Sequence, residues 1–367
     1  VTSPLHTPLC DRLGIEVPII SAGMGPIAGP DLVAAVSNAG GLGVLGCTSM
    51  SPDEVRSVIR RTRELTSRPF GVDLILPARI DQGGASVADV AELIPEEHRA
   101  TATRIAARLG VEPPAGDASD ERNALGTDAE AQVEVILEEG VPVFVGALGS
   151  PGFVADRLHQ AGATVISIVG STKQAVAVVK DGADVVIAQG TEGGGHTGHV
   201  GTMALLPQVL DAVDVPVVAA GGIGDGRGMA ASLLMGCQAV WVGTRFLATD
   251  EAGIAGWQKA GIVAAADQSP IISRAYTGKR FRMLPNDWTR AWEEADIEPL
   301  PMPLQPVLVG MTLGALGTDR GRREGVSMNG AGNIAGLIDE VVPAARVVDE
   351  MAAEAAELLG GAGRLLR

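Results

Sequence analysis

Aromatic side chains make up only 3% of this 367-residue chain: one tyrosine, five phenylalanines and four tryptophans. A core this poor in rings must be assembled from small aliphatic residues, which suits buried parallel strands packed closely against helices. Cysteine is scarce as well. Cys10, Cys47 and Cys237 are an odd number without metal-like spacing, which argues for a reducing compartment and against a disulfide framework. Positive charge is in deficit: 28 Lys and Arg stand against 44 Asp and Glu, a formal net charge of −16. That excludes a nucleic-acid partner, which needs a basic face, but leaves room for a local basic pocket. No apolar run reaches the ~18 residues of a membrane span. The N-terminus shows no basic segment followed by an apolar core, so no signal peptide is expected. The expectation is a cytoplasmic protein acting on a small molecule, with no membrane partner; a homodimer stays open.

What the chain has in quantity is apolar residues, 46%, and glycine, 49 residues. Short apolar runs recur at 17–21, 42–45, 70–76, 142–146, 164–168, 185–188, 215–220 and 239–242, each followed by a helix or a replacement for one. Outside 77–127 the unit length is about 20 to 25 residues, near what a (β/α)8 TIM barrel of ~250 residues requires. An open doubly wound sheet is the alternative, but it concentrates glycine-rich turns after its first strand. Here they follow many strands, and no GxGxxG follows the first. The α/β reading is therefore a TIM barrel over 1–250, with 77–127 as an insertion after the third strand. The insertion is polar and acidic, with one helical patch at 96–109 and a loop-like piece at 111–126. A smaller lid domain is expected over 251–325, which carries Trp257, Trp288, Trp292, Tyr276 and a basic cluster. Residues 326–367 return to the barrel, ending in an amphipathic helix at 344–359 that packs on it.

Chemistry concentrates at 185–199, VVIAQGTEGGGHTGH. A buried strand empties into Gln189, Gly190 and a run of glycines through Gly195, then His196. Glycines let the backbone approach a ligand closely, and an imidazole exchanges protons near neutrality. A solvated flexible loop is the bland alternative. The ends of the seventh and eighth strands read AAGGIGDGRG and VGTRF. Barrels bind phosphate there, and Gly221, Gly222, Gly243 and Thr244 offer backbone N–H groups and a hydroxyl, with Arg245 as added charge. After the first strand, Ala22, Gly23 and Met24 form a wall for a flat ligand. Asp73 interrupts the apolar strand FGVDLIL, either lining the mouth or hydrogen bonding inside. Lys279, Arg280 and Arg282 face an anionic nicotinamide nucleotide or acyl carrier, or else are a solvated face. His196 and His199 have no carboxylate or cysteine cluster around them, so no metal is expected. No GxSxG elbow is present.

Together AGMG, FGVDL, AQGTEGGGHTG, AAGGIGDGRG, VGTRFLAT, TGKRFRMLPNDW and GAGNIAGLIDEV resemble the nitronate monooxygenase family, FMN-containing TIM barrels with a smaller lid. The resemblance covers most of the chain outside 77–127. It implies FMN at the strand ends, with the family's flavin contacts falling on Met24, Gln189, Gly190, Gly222, Gly243 and Thr244. Their neighbours Ala22, Gly23, Asp73, Gly195 and Gly221 complete the expected cofactor site. The catalytic histidine of the family falls on His196, placed to take a proton from a nitroalkane or to bind the nitronate. The implied reaction is oxidation of alkyl nitronates or nitroalkanes by O2 to a carbonyl compound and nitrite. An NAD(P)H-dependent flavin reductase acting on a quinone or enoyl thioester is the alternative; a non-redox barrel binding a phosphorylated ligand is the second. The chain departs from the family pattern twice, with Asp73 for the usual asparagine and Ile168 near the place of a frequent lysine.

Overall fold

The computed structural model describes residues 5–76, 87–112, 129–314 and 323–365. Its strands in chain order are β1 (Ile19–Ser21), β2 (Gly43–Gly46), β3 (Phe70–Ile75), β4 (Val143–Ala147), β5 (Thr164–Val169), β6 (Val185–Gln189), β7 (Gly195–His196), β8 (Val217–Ala220), β9 (Ala239–Val242), β10 (Ile271–Ser273) and β11 (Phe281–Met283). Eight of them form one parallel sheet in the order β1-β9-β8-β6-β5-β4-β3-β2. The ends of that sheet meet: Ile20 bridges Leu42 in parallel, and Ser21 N–H donates to the Leu42 carbonyl at 2.9 Å. The sheet is thus a closed TIM barrel, as the eight apolar runs predict.

Alternation along each strand sorts side chains between two compartments, because successive residues point to opposite faces. Val185 and Ile187 enter the barrel interior with Val143, Val145, Val218, Ala220 and Trp241. Val186 and Ala188 instead pack outward against the helices with Val217 and Ala219. The lower end of the interior is filled by a short helix that the sequence pattern did not announce, Pro8–Leu13, through Leu9, Cys10 and Leu13. Parity has a direct consequence at β3. Phe70, Val72 and Leu74 pack outward, so Asp73 points inward.

Helix starts follow local chemistry. Ser51 caps Pro52–Leu65 in a reciprocal capping box with Glu54, and the Asp225 carboxylate accepts from the N–H groups of Arg227 and Gly228 at the head of Gly226–Leu234. Such caps contribute about 0.5–2 kcal/mol each. The last helix, Ala344–Gly361, buries Val347, Val348, Met351 and Ala355 against the barrel exterior.

A separate apolar cluster lies over the strand ends. Tyr276, Trp288, Trp292, Val307 and Leu308 share it with Val87, Val90 and Ile105. The helices Val87–Glu92 and Glu96–Arg108, expected as part of an insertion, therefore pack into the same core as the aromatic segment. The loop-like piece at 111–126 falls, apart from Val111 and Glu112, outside the described residues. Among the described residues no helix is long and apolar enough to cross a membrane.

Candidate active site

A cavity of about 1280 Å³ opens at the C-terminal ends of the barrel strands and is roofed by the segment 274–281. It gathers residues far apart in sequence: Ala22, Gly23 and Met24 after β1, Asp73 on β3, Gln189 at the end of β6, Gly195 and His196 on β7, Gly221 and Gly222 after β8, Gly243 and Thr244 after β9. Arg245 and Arg282, expected as nearby charge, do not line it, donating instead to the Glu340 and Thr191 carbonyls at 3.4 and 3.0 Å. Among the expected flavin contacts Gly190 does not line it either. Its N–H donates to the Ala220 carbonyl at 2.9 Å, and a Cβ there would stand 2.0 Å from the Thr202 hydroxyl oxygen. Gly190 is glycine because the wall behind the cavity is close-packed.

The β8 and β9 ends supply an anion-suited surface. Gly221 and Gly222 take φ of 88° and 72°, the left-handed region that glycine enters without strain. Among the described residues, no protein acceptor meets the N–H groups of Gly222, Gly243 or Thr244. A Cβ on Gly243 would approach nothing closer than Ala22 Cβ at 3.5 Å, so the space before it is open. The Thr244 hydroxyl is committed elsewhere, accepting from Gly332 N–H at 2.9 Å.

Asp73 is buried in the opposite wall, against Gly23. Its Oδ1 is inaccessible and without a hydrogen-bond partner. Burial pushes its carboxyl up to about 8, so it is a neutral acid at physiological pH. Of the two sequence readings of this residue, lining the mouth is the observed one, and its Oδ1 makes no structural hydrogen bond. Ile168 also faces the cavity, as an apolar group.

His196 departs from the loop reading. Gly195–His196 is a strand, pairing antiparallel with β11 so that His196 lies opposite Phe281 and Gly195 opposite Arg282; β10 completes this three-stranded sheet. The histidine is thus held by the roof. Gln189 Nε2 donates to its carbonyl at 2.8 Å, the Phe281 ring meets the imidazole edge-on at 5.1 Å, and Nε2 lies 3.1 Å from the Thr277 hydroxyl oxygen. Burial, and then the charge of Lys279, push the imidazole down to about 4. At neutral pH it is uncharged, one ring nitrogen carrying the proton and the other a lone pair.

Sequence reasoning missed Thr277 and Glu192. Glu192 lines the cavity but turns its carboxylate onto Thr202, accepting from that N–H at 3.0 Å and from the hydroxyl at 2.8 Å. Thr277 lies within TGKRF, a segment noticed for its charge rather than its hydroxyl; only the β7–β11 pairing reveals the contact with His196.

A family profile described as nitronate monooxygenase matches residues 6–354. A candidate monooxygenase of Mycobacterium tuberculosis is 36% identical over 372 aligned positions, covering 97% of this chain and 98% of the other. The (3aS,4S,5R,7aS)-5-hydroxy-7a-methyl-1-oxo-octahydro-1H-indene-4-carboxyl-CoA dehydrogenase of Rhodococcus jostii is 38% identical over 293 residues, 80% of this chain and 69% of that protein. Among solved structures, the nitroalkane oxidase of Streptomyces ansochromogenes superposes with a TM-score of 0.82 at 34% identity, over 96% of this chain and 99% of that one.

Proposed function

The chain belongs to the nitronate monooxygenase family and is an oxidoreductase, and on that premise we propose that it binds FMN and oxidises alkyl nitronates or nitroalkanes. The observation that carries this reading is the pairing of an anion-suited wall, Gly222, Gly243 and Thr244, with an uncharged, half-buried imidazole in one cavity. FMN fits the residues present. The unmet N–H groups at the ends of β8 and β9 suit a phosphate. The glycine and Met24 wall after β1 suits a flat ring system, with soft contact from the thioether. Asp73, being a neutral acid, keeps negative charge away from that ring and presents a hydrogen-bond donor such as asparagine would.

When bound, FMN supplies the acceptor for substrate electrons. The chain's own residues handle the proton and the charge. His196 takes the α-proton of a neutral nitroalkane on its free imidazole nitrogen, as a positioned general base. The resulting nitronate is anionic, and Lys279 at the cavity edge stabilises it electrostatically. Phe281 covers one side of the imidazole.

A second reading has its own support. The cavity is large, cations line its lid edge, and one relative's name is that of a carboxyl-CoA dehydrogenase. A flavin reductase drawing on NAD(P)H and acting on an enoyl thioester uses the same frame. Anaerobic mixing separates the two: bleaching of the yellow absorbance by a nitronate but not by NADH supports the first, the reverse supports the second, and no bleaching by either ends both.

A further inference from the structure

Among the described residues of this acidic protein, twelve arginines have carboxylate partners, as with Arg12 on Asp184 and Arg274 on Glu298. Arg282, on the same strand as Phe281, is held by the Thr191 carbonyl at 3.0 Å. Lys279 and Arg280 are different. Neither has a carboxylate partner among the described residues, although carboxylates are in excess over the whole chain. Both line the cavity, and the Nε of Arg280 is buried without an acceptor. A guanidinium N–H left so is costly unless a ligand meets it.

The carboxylates of the cavity wall do not pair with them. Asp73 lies on the far wall, its carboxyl raised by burial, and the Glu192 carboxylate is directed at Thr202. The two cations at the lid edge are left without a partner from the wall. The volume points the same way: at about 1280 Å³, the cavity exceeds the roughly 300–1,000 Å³ that houses one drug-sized ligand. A flavin and a small nitroalkane leave much of it to be filled. Two adjacent unpaired cations suit a group with more than one negative charge, and phosphate oxygens meet guanidinium and ammonium donors well.

From this we infer that Lys279 and Arg280 form a subsite for the diphosphate of a nucleoside-diphosphate co-substrate, the group shared by nicotinamide dinucleotides and coenzyme A thioesters. The subsite rests on the flavin reading of the cavity, since it is the room left beside the flavin that the co-substrate fills. It lies beside His196, whose imidazole feels the Lys279 charge, so a bound diphosphate also makes His196 a stronger base.

The test is a calorimetric titration of the flavin-loaded protein at low salt with NADH, with coenzyme A and with ADP. ADP should bind, and so should one of the two larger ligands; which one identifies the source of the diphosphate. Lys279→Gln and Arg280→Gln should each weaken binding about tenfold, one charge-assisted contact. Arg290→Gln, on an exposed lid helix, should leave it unchanged. Parent affinity should also fall from low to high salt, a readout that needs no variant. Absence of binding by all three ligands, salt-independent binding, or parent-like binding by both variants overturns the subsite. Flavin content is read separately from the absorbance of the purified protein. A protein that carries flavin yet binds none of the three ligands therefore defeats the subsite alone, whereas a colourless protein that takes up no added FMN defeats the proposed function and the subsite with it.

Discussion

His196 Nε2 stands 3.1 Å from the hydroxyl oxygen of Thr277, which itself lies 3.4 Å from the Lys279 carbonyl. With the hydroxyl proton given to that carbonyl, the oxygen accepts from Nε2–H. The proton is then fixed on Nε2 and the lone pair left on Nδ1. A ring nitrogen's role is set by the bond its partner makes. Thr277 is in this sense a positioning residue.

Thr277→Val removes the acceptor while keeping the shape. Turnover of a neutral nitroalkane should fall roughly tenfold, a part of the ~100- to 10,000-fold that a positioned general base supplies, while that of a preformed nitronate changes little. Thr277→Ser should restore the parent rate. Nitrogen NMR of the imidazole supplies an independent check: the parent should show protonated Nε2, and the valine variant a tautomer mixture. A parent spectrum with the proton on Nδ1 removes Thr277 from this role.

His196→Asn should leave flavin binding intact and slow nitroalkane oxidation far more than nitronate oxidation. The pH dependence is set by the depressed imidazole. The base form exists above about 4, so kcat/KM on nitroalkane should stay level from neutrality down to about pH 5 and drop below it. Lys279→Gln removes one of the two causes of that depression and should move the acid limb to higher pH. Equal nitroalkane rates for parent and His196→Asn would dismiss the imidazole as the base.

The barrel was legible because its strands are separate apolar runs of near-uniform spacing, and parity then dictates which residues face the mouth. Gln189 follows Ile187 into the interior set and Asp73 follows Gly71, so both could be read as inward once the strands were placed. The glycine-rich ends were legible because function there is backbone chemistry, and glycine marks it. What was not legible depends on pairing between distant segments. Gly195–His196 is too short to show strand periodicity; it becomes a strand only because Phe281 and Arg282 pair with it. Gly190 misled for the opposite reason: its small size serves Thr202, and sequence cannot tell a glycine that admits a ligand from one that admits a neighbouring side chain. The shared core of Tyr276 with Val87 and Ile105 likewise joins segments separated by more than 150 residues.

Gly23→Ala tests the tightness of the wall after β1. The added methyl would lie 2.4 Å from Asp73 Cβ and 2.5 Å from its Oδ2, below any normal contact. Since Asp73 is buried on a barrel strand, it cannot swing away. Overpacking of this kind typically costs about 1–3 kcal/mol, so a denaturant midpoint clearly below that of the parent is expected, with weaker flavin retention. If Asp73 has room to move, the combination Gly23→Ala with Asp73→Gly, which removes the nearest atom Cβ, will be no more stable than Gly23→Ala alone; relief of the clash requires that the second change recover part of the loss.

Asp73→Asn separates a titrating acid from a neutral isostere. In the folded protein the carboxyl is pushed up to about 8 by burial, against 3.8 for the free group. Between those values the unfolded chain is ionised and the folded one holds the proton. The folded state then binds more protons, so stability falls as pH rises through this window. The contribution is fully present below about 4 and lost once pH passes 8. Asparagine does not titrate and escapes the loss. The Tm of Asp73→Asn relative to the parent should therefore rise steadily from pH 5 to pH 8.5, corresponding to a few kcal/mol at most. Calorimetry across that range reads the effect directly. A Tm difference that does not vary with pH would mean that Asp73 is ionised in the folded protein, and the wall facing the flavin would then carry the negative charge that the buried, unpartnered Oδ1 argues against.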